Sequence, residues 1–337
     1  MNPFLSKLSN TLQKKLNKKK MPSFEKPMLA TLTKTYFSDA RWIFERKFDG
    51  ERCLIFKNHG KVSLKSRNNK SLNATYPEIM EAAKKLSIDQ IILDGEVVVL
   101  ENGATSFEKL QQRLGLKSAQ EALETGVKVH IYVFDILYLD GYELIRLPLD
   151  IRKSILKKAV KFKDPIRYTE HIDKKGLQYF KMACQKGWEG LIAKKRTSAY
   201  VHVRSADWLK FKCVKGQEFV IGGYTEPEHS RTGFGSLLIG YYEEGEFQFA
   251  GKVGTGFSDT FLKKFSKKLQ KFETKKNPFA SKSIKGKGIH FVEPHFIASI
   301  GFEEWTKNNR LRQPRFQGLR YDLDDPTKIL KETPKTN

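Results

Sequence analysis

Apolar residues recur along this chain in short runs bounded by Gly, Asn and charged positions, a pattern that predicts many short strands and few long helices. Between Pro27 and about Lys212, strand-like runs fall at Trp42–Phe44, Cys53–Phe56, Val62–Leu64, Ile91–Leu93, Val97–Leu100, Val129–Phe134, Gly190–Ala193 and Trp208–Lys212. Helical spacing lies between them, at Tyr76–Leu86, Phe107–Leu114, Ile151–Val160 and Gly176–Lys186. Pro77 suits a first helical turn and Thr75 its cap. Strand and long helix do not alternate regularly, which argues against a doubly wound parallel sheet.

Beyond Lys215 the texture changes. Glu218–Tyr224, Leu237–Tyr242 and Glu246–Val253 read as strands between Gly-rich turns. A helix follows, with Ser258 and Asp259 as cap candidates and Leu262, Phe265, Leu269 and Phe272 on one face. Ile289–Pro294 and Phe296–Phe302 read as two further strands. Three strands, a helix and two strands fit a small five-stranded barrel of the oligonucleotide-binding type. The polar stretch Val214–Gln217 is the expected hinge. The chain is 337 residues long, more than one core usually organises. The expected organisation is a basic extension over 1–24, a mixed α+β domain of mainly antiparallel sheets over 25–214, and the barrel over 215–337.

Charge narrows the partners. Lys and Arg number 62 against 38 Asp and Glu, a net charge of +24, and such an excess points to a polyanion, nucleic acid first. Six lysines and no acid lie in residues 1–24, where Leu5, Leu8, Leu12 and Leu16 recur at helical spacing. This arm reads as a phosphate-binding amphipathic helix, a targeting peptide, or a solvated tail with Met21 as an alternative start. Residues 260–288 hold ten Lys and one acid. No apolar run reaches the roughly 18–20 residues of a helical membrane span. The three cysteines, Cys53, Cys184 and Cys213, are far apart and match neither a disulfide framework nor a zinc spacing. The expectation is an intracellular, reducing compartment.

The candidate chemistry centres on Glu45–Arg52, E-R-K-F-D-G-E-R, where Lys47 falls between two strand-like runs. Alone, a loop lysine is a solvated charge, D-G is a hairpin turn, and alternating lysines on a strand are its wet face. The companions change that weighting. Ser66-Arg67 opens a loop; Asp94-Gly95-Glu96 reads as a turn between apolar strands; Phe134-Asp135 ends a strand; Glu189-Gly190 opens E-G-L-I-A-K-K; Lys210 and Lys212 alternate in W-L-K-F-K.

In order and spacing these pieces resemble the motifs of covalent nucleotidyltransferases, specifically ATP-dependent DNA ligases. K-x-D-G-x-R (Lys47 to Arg52) is similar to the nucleophile motif, D-G-E to the third, F-D to the aromatic one, E-G to the fourth and K-x-K to the fifth. R-Q-P-R-F-Q-G-L-R-Y-D (Arg312 to Asp322) resembles the sixth. P-M-L-A (Pro27–Ala30), E-W-T (Glu304–Thr306) and F-Q-G-L-R (Phe316–Arg320) most resemble the ligase module of bacterial end-joining ligases. The resemblance covers about Lys26 to Leu330.

It implies an adenylation domain followed by an OB-fold barrel, and a monomer that seals nicks in duplex DNA. ATP would be the nucleotide substrate, with Mg²⁺ as metal, or Mn²⁺ in its place. Lys47 would carry AMP as a covalent lysyl adduct. Phe134 would stack on adenine, Glu45 would lie near its exocyclic amine, Arg52 and Glu96 would meet the ribose, and Arg67 and Arg204 would approach phosphate. Glu96 and Glu189 would hold the metal. Arg320 and Asp322 would align pyrophosphate.

The chemistry requires Lys47 as a neutral amine, against a free pKa near ~10.4, and the cations Arg52, Lys210 and Lys212 together with a metal are expected to disfavour its ammonium form. Three positions depart from the family pattern. Val203 replaces a common Gly before Arg204, Phe291 a common Trp, and Leu323 a Lys in the last motif, with Lys328 as its nearest substitute. The end-joining-type tail disfavours an RNA ligase or a GTP-dependent capping enzyme. The absence of a four-cysteine zinc module disfavours an NAD-dependent ligase. A catalytically silent nucleic-acid-binding scaffold is opposed by the full set Lys47, Glu96, Glu189, Lys210 and Lys212.

Overall fold

The computed structural model describes residues 2–213, 216–228, 231–281, 284, 286–306 and 308–332. The chain divides after Cys213 into two units.

The first unit is built on two sheets. Its strands are β1 (Leu29–Leu32), β2 (Trp42–Lys47), β3 (Glu51–Asn58), β4 (Lys61–Ser66), β5 (Gln90–Val98), β6 (His130–Leu139), β7 (His171–Asp173), β8 (Gly190–Lys195) and β9 (Arg204–Lys212). Its longer helices are α1 (Pro77–Lys84), α2 (Leu149–Ala159) and α3 (Gly176–Gln185). One sheet orders Asn17–Lys18, Tyr142–Glu143, β6, β5, β3 and β4, with Ile166–Tyr168 parallel on β6. Ile79 and Ala83 of α1 and Ile155 and Leu156 of α2 close its apolar face against Ile55, Ile91 and Leu93. The other sheet orders β7, β2, β8, β9 and β1, antiparallel except for β9 with β1. Ala183 of α3 covers it over Phe44, Leu191 and Phe211. A third cluster joins side chains of both sheets: Leu54, Ile92, Phe134, Tyr200 and Trp208.

Several expectations change here. Asp94-Gly95-Glu96 is not a turn, because β5 runs unbroken through it. The reason is charge satisfaction and close packing. Asp94 is fully buried on Arg52 and Tyr200, and a Cβ on Gly95 would stand 2.8 Å from the Tyr132 carbonyl oxygen of β6. Asp135 likewise lies inside β6, where Arg152 holds it in a buried ion pair at 2.8 Å. Lys47 is the last residue of β2 and not a loop residue. Thr75 does not cap α1; its hydroxyl donates to the Leu116 carbonyl.

The basic arm is neither a free tail nor one helix. Pro3–Ser6 and Asn10–Gln13 are single turns, the first capped by the Asn2 side chain. Asn17–Lys18 then pairs with Tyr142–Glu143. Leu5 is fully buried in the first-unit core, and Leu8, Leu12 and Leu16 pack on it. Lys19 pairs with Glu25 and Glu143. The leucine stripe therefore serves packing.

Cys184 and Cys213 are joined as a disulfide, so their spacing of 29 residues did contain a pair. The end of α3 and the end of β9 bring Cα atoms within 5.2 Å, a proximity that strand order decides and spacing cannot show. Cys53 is buried in the core.

The second unit is a barrel-like antiparallel sheet with one helix. Its strands are β10 (Gly216–Thr225), β11 (Leu237–Glu243), β12 (Glu246–Val253), β13 (Ile289–Val292), β14 (Ile297–Gly301) and β15 (Arg315–Leu319). β10 is shared: it pairs with β11, β13 and β14, and β14 continues to β15. The arrangement is that of an OB-fold. Of the expected hinge Val214–Gln217, Gly216 and Gln217 open β10, and Val214 and Lys215 lie outside the described residues. β15 was not predicted as a strand; its alternation of exposed and buried residues spans only Arg315–Leu319. Helix α4 (Asp259–Gln270) buries Leu262, Phe265 and Leu269 and exposes Lys263, Lys264, Lys267 and Lys268, with the Ser258 hydroxyl accepting from the Phe261 amide. Leu323 packs against the apolar cluster around Val220, Leu238 and Ile297, which accounts for an apolar residue at that position.

The packed arm yields a prediction. Leu5→Ala should lower unfolding free energy by about 2–5 kcal/mol, the cost of truncating a buried leucine, read as a lower denaturant midpoint. An unchanged midpoint would mean that the arm does not pack on this core.

Candidate active site

The site is assembled where β2, β8 and β9 end together. Register places Gly190 opposite Lys47 on one side and Lys212 on the other. Gly190 has φ of +148°, and a Cβ there would stand 1.9 Å from the Phe211 carbonyl oxygen. Only glycine lets the three strands close at this end. Glu189 precedes it, with Oε2 2.5 Å from Lys47 Nζ.

Burial by itself pushes the Lys47 amine below its ordinary value. The Glu189 carboxylate, reinforced by Asp49 and Glu96, outweighs that and holds the ammonium above it. The expectation of a cation-dominated setting for Lys47 is therefore corrected: the charge in contact with it is a carboxylate. Attack on a phosphate requires that this pairing first be loosened.

Arg52 on β3 lies opposite Glu96 on β5. Its fork donates Nε to Asp94 Oδ1 at 2.5 Å and Nη2 to Oδ2 at 2.6 Å, while Nη2 also donates to the Met28 carbonyl at 3.1 Å. Tyr200 donates its hydroxyl to Asp94 at 2.7 Å. This bidentate pair fixes the guanidinium plane over the Phe134 ring, 4.7 Å from its centroid. Phe134 is buried and meets Trp208 edge to face at 6.1 Å.

Glu45 is engaged on both oxygens, by Lys153 at 2.5 Å and Lys194 at 2.6 Å. Burial by itself would raise its carboxyl; the two lysines outweigh this and hold it below the ordinary carboxylate value. Lys194 is pushed the other way. Burial lowers its ammonium more than Glu45 restores it, and its Nζ lies 4.1 Å from the ring centroids of both Phe134 and Trp208. Neither lysine was singled out from the sequence. A signal existed in α2, where Arg152 and Lys153 fall among the core positions Leu149, Ile155, Leu156 and Ala159. A charge on an apolar helix face needs a buried partner.

The remaining candidates are spread more widely. Arg67 follows β4 in a turn whose amides, Asn68 and Lys70, donate to the Ser66 hydroxyl. Arg204 opens β9, exposed, and donates to the Ala30 carbonyl at 2.5 Å. Val203 beside it is 63% exposed. Lys210 and Lys212 lie on β9 opposite Ile192 and Gly190. Arg320 and Asp322 belong to the second unit, where they form a bidentate pair at 2.8 and 2.7 Å, with Glu218 3.5 Å from the same guanidinium. Lys328 pairs with Asp325 at 2.7 Å.

Among the described residues no group of three or more His, Cys, Asp or Glu forms a metal cage. Glu96 and Glu189, which both act on Lys47, provide a sparse carboxylate set. Such a set suits a small hard cation that keeps water and takes its other oxygens from phosphate.

Comparison with known proteins agrees with this geometry. Residues 27–212 match the family model of the ATP dependent DNA ligase domain, and residues 230–323 that of the ATP dependent DNA ligase C terminal region. The chain is 37% identical over 312 residues to the multifunctional non-homologous end joining DNA repair protein LigD of Mycobacterium tuberculosis, covering 91% of this chain and 40% of that protein. It is 30% identical over 297 residues to a DNA ligase of Thermococcus fumicolans, covering 83% of this chain and 52% of the relative. The chain thus spans well under two thirds of these relatives' length. A solved structure of mycobacterial DNA ligase D complexed with ATP and MES aligns with a TM-score of 0.67 at 36% identity, covering 91% of this chain and 98% of that one. By its motifs, its two-unit architecture and these matches, the chain belongs to the ATP-dependent DNA ligase family.

Proposed function

We propose that this chain seals nicks in duplex DNA in three phosphoryl transfers. Lys47 Nζ attacks the α-phosphorus of ATP, the bond to pyrophosphate breaks, and AMP is left on the lysine. A 5′-phosphate oxygen at the nick then attacks that phosphorus and frees the lysine. Finally the 3′-hydroxyl oxygen attacks the 5′-phosphorus, and AMP leaves. The single observation that carries this reading is the contact of Lys47 with Glu189 at the joint end of β2 and β8. In it the lysine that ends β2 meets the carboxylate just before β8, beside the strand β9 that carries Lys210 and Lys212.

The chain's own residues would divide the work. Glu189 holds Lys47 until the anionic nucleotide competes with its carboxylate for the lysine. Arg52, locked on Asp94, and Phe134 form one wall for the nucleoside, with Glu45, Lys153 and Lys194 behind it. Lys210, Lys212, Arg67 and Arg204 face phosphates. Glu96 and Glu189 are the residues that would hold magnesium, which supplies charge neutralisation at the phosphates. Arg320 and Asp322, on the second unit, would align pyrophosphate. The unit divisions 1–24, 25–214 and 215–337 follow from this reading, with the arm an outwork of the adenylation domain. DNA would be held through its backbone by the lysine faces, in the compartment that houses the genome, with a monomer as the working form.

Lys47→Ala should abolish transfer of labelled AMP from ATP to the protein while nick binding persists; retained label would end the assignment. Because Lys47 must lose a proton that Glu189 stabilises, the labelling rate should rise with pH through neutrality. Glu189→Gln should move that rise to lower pH and cut the maximum about a hundredfold, the scale of lost acid–base and charge assistance. A rise at unchanged pH in that variant would contradict control by Glu189.

Arg320→Ala should slow sealing from ATP by about a hundredfold, as loss of positioning does, yet spare sealing of a nick already carrying 5′-AMP. Equal losses on both substrates would make the Arg320–Asp322 pair structural. For DNA binding, each phosphate contact removed by Lys263→Gln, Lys264→Gln, Lys267→Gln or Lys268→Gln should reduce the slope of log affinity against log salt by roughly 0.9. An unchanged slope in the fourfold variant would remove α4 from the DNA surface.

A further inference from the structure

Cys184 and Cys213 flank the catalytic carboxylate in a way the ligation chemistry does not use. Cys184 lies in the last turn of α3 and Cys213 follows β9, and the two are bonded. The ring they close contains Glu189, all of β8 and all of β9. Cys213 also donates its amide to the Glu189 carbonyl at 3.0 Å. On the other side, the Trp188 amide donates to Ala183, and the Gly187 amide to Cys184 itself. Glu189 is therefore suspended between the two sulfur-bearing residues, and its side chain reaches Lys47. Both cysteines are part-exposed, whereas Cys53 is wholly buried, with burial pushing its thiol well above the ordinary value. Small thiols and disulfides can reach the first two and not the third.

We propose that Cys184 and Cys213 are a reversible thiol–disulfide site for low-molecular-weight disulfides, and that its closure clamps Glu189 against Lys47 and slows AMP transfer. The second half rests on the lysyl-AMP reading above. In the closing step one cysteine thiolate attacks a sulfur of the external disulfide, breaking its S–S bond and releasing one thiolate. The second cysteine thiolate attacks the mixed disulfide, forming the Cys184–Cys213 bond and releasing the other. The protein dithiol is oxidised by two electrons, the external disulfide is reduced to two thiols, and the two protons pass to them. Opening by dithiothreitol reverses each step. In the open form Glu189 keeps its hydrogen bonds but loses the covalent ring, so a bound anionic nucleotide can compete with its carboxylate for Lys47 more readily.

The test equilibrates the full chain with oxidised glutathione or with dithiothreitol. Intact mass then reads the loss of two hydrogens, deuterium exchange reads the amides of residues 186–192, and labelled ATP reads lysine adenylylation. The oxidised chain should exchange these amides more slowly and label about fivefold more slowly, the low end of coupling between linked sites. Dithiothreitol should restore both. Cys184→Ser and Cys213→Ser should each match the reduced chain and ignore the oxidant; Cys53→Ser should respond as the unaltered chain does. Failure of the bond to form, exchange equal in both forms, or oxidant sensitivity surviving in the Ser variants would overturn the proposal. Labelling at one rate in both forms overturns the clamp and leaves the ligase reading standing. No labelling in either form overturns that reading instead, while mass and exchange still decide the thiol site.

Discussion

Lys47 is held by a carboxylate 2.5 Å away, and the register of the first unit's strands sets that contact. β8 must lie close enough to β2 and β9 for a residue without a side chain to be required at Gly190. α3 leads into the Glu189 segment, and the Cys213 amide just after β9 donates to the Glu189 carbonyl. The pair has a chemical consequence. A desolvated lysine alone would drift toward the neutral amine that attacks phosphate, but Glu189 restores the ammonium. Lys47 is thus held as the ammonium by its contact with one carboxylate.

Around this contact the unit buries several ion pairs. Asp94 holds Arg52, Asp135 holds Arg152, and Glu45 holds Lys153 and Lys194. Such pairs contribute little net stability, since desolvation offsets most of their attraction. Their effect is positional: they lock side chains of both sheets and α2 into one arrangement. The wall formed by Arg52, Phe134 and Lys194 is a product of that locking, with both cations close to the aromatic ring.

The basic surfaces serve two different purposes. On α4 the lysines stand out from a helix whose apolar side fills the second-unit core, so their charge faces solvent. The arm's leucines instead tie its lysines to the first unit. A high positive charge is tolerable in both places because the charges stay on the wet side of elements anchored by apolar contacts.

Much was legible from residues alone. Composition and charge indicated nucleic acid, short-run periodicity indicated strands, and Lys47, Glu96, Phe134, Glu189, Lys210 and Lys212 stood in a readable order. Those signals are local: each rests on neighbours within a few positions. What sequence could not settle were matters of long-range pairing. Asp94-Gly95-Glu96 has the composition of a turn, yet β3 and β6 on either side make it strand. Leu5 looks like part of a loose tail until the core that receives it is assembled. Cys184 and Cys213 read as unrelated until α3 and β9 end side by side. Lys153 and Lys194 became visible only when burial removed water and left Glu45 as their partner. Residue types and order determined the chemistry available to this protein. The tertiary structure decided the charge state of its lysine, because that depends on which carboxylate the fold brings within reach.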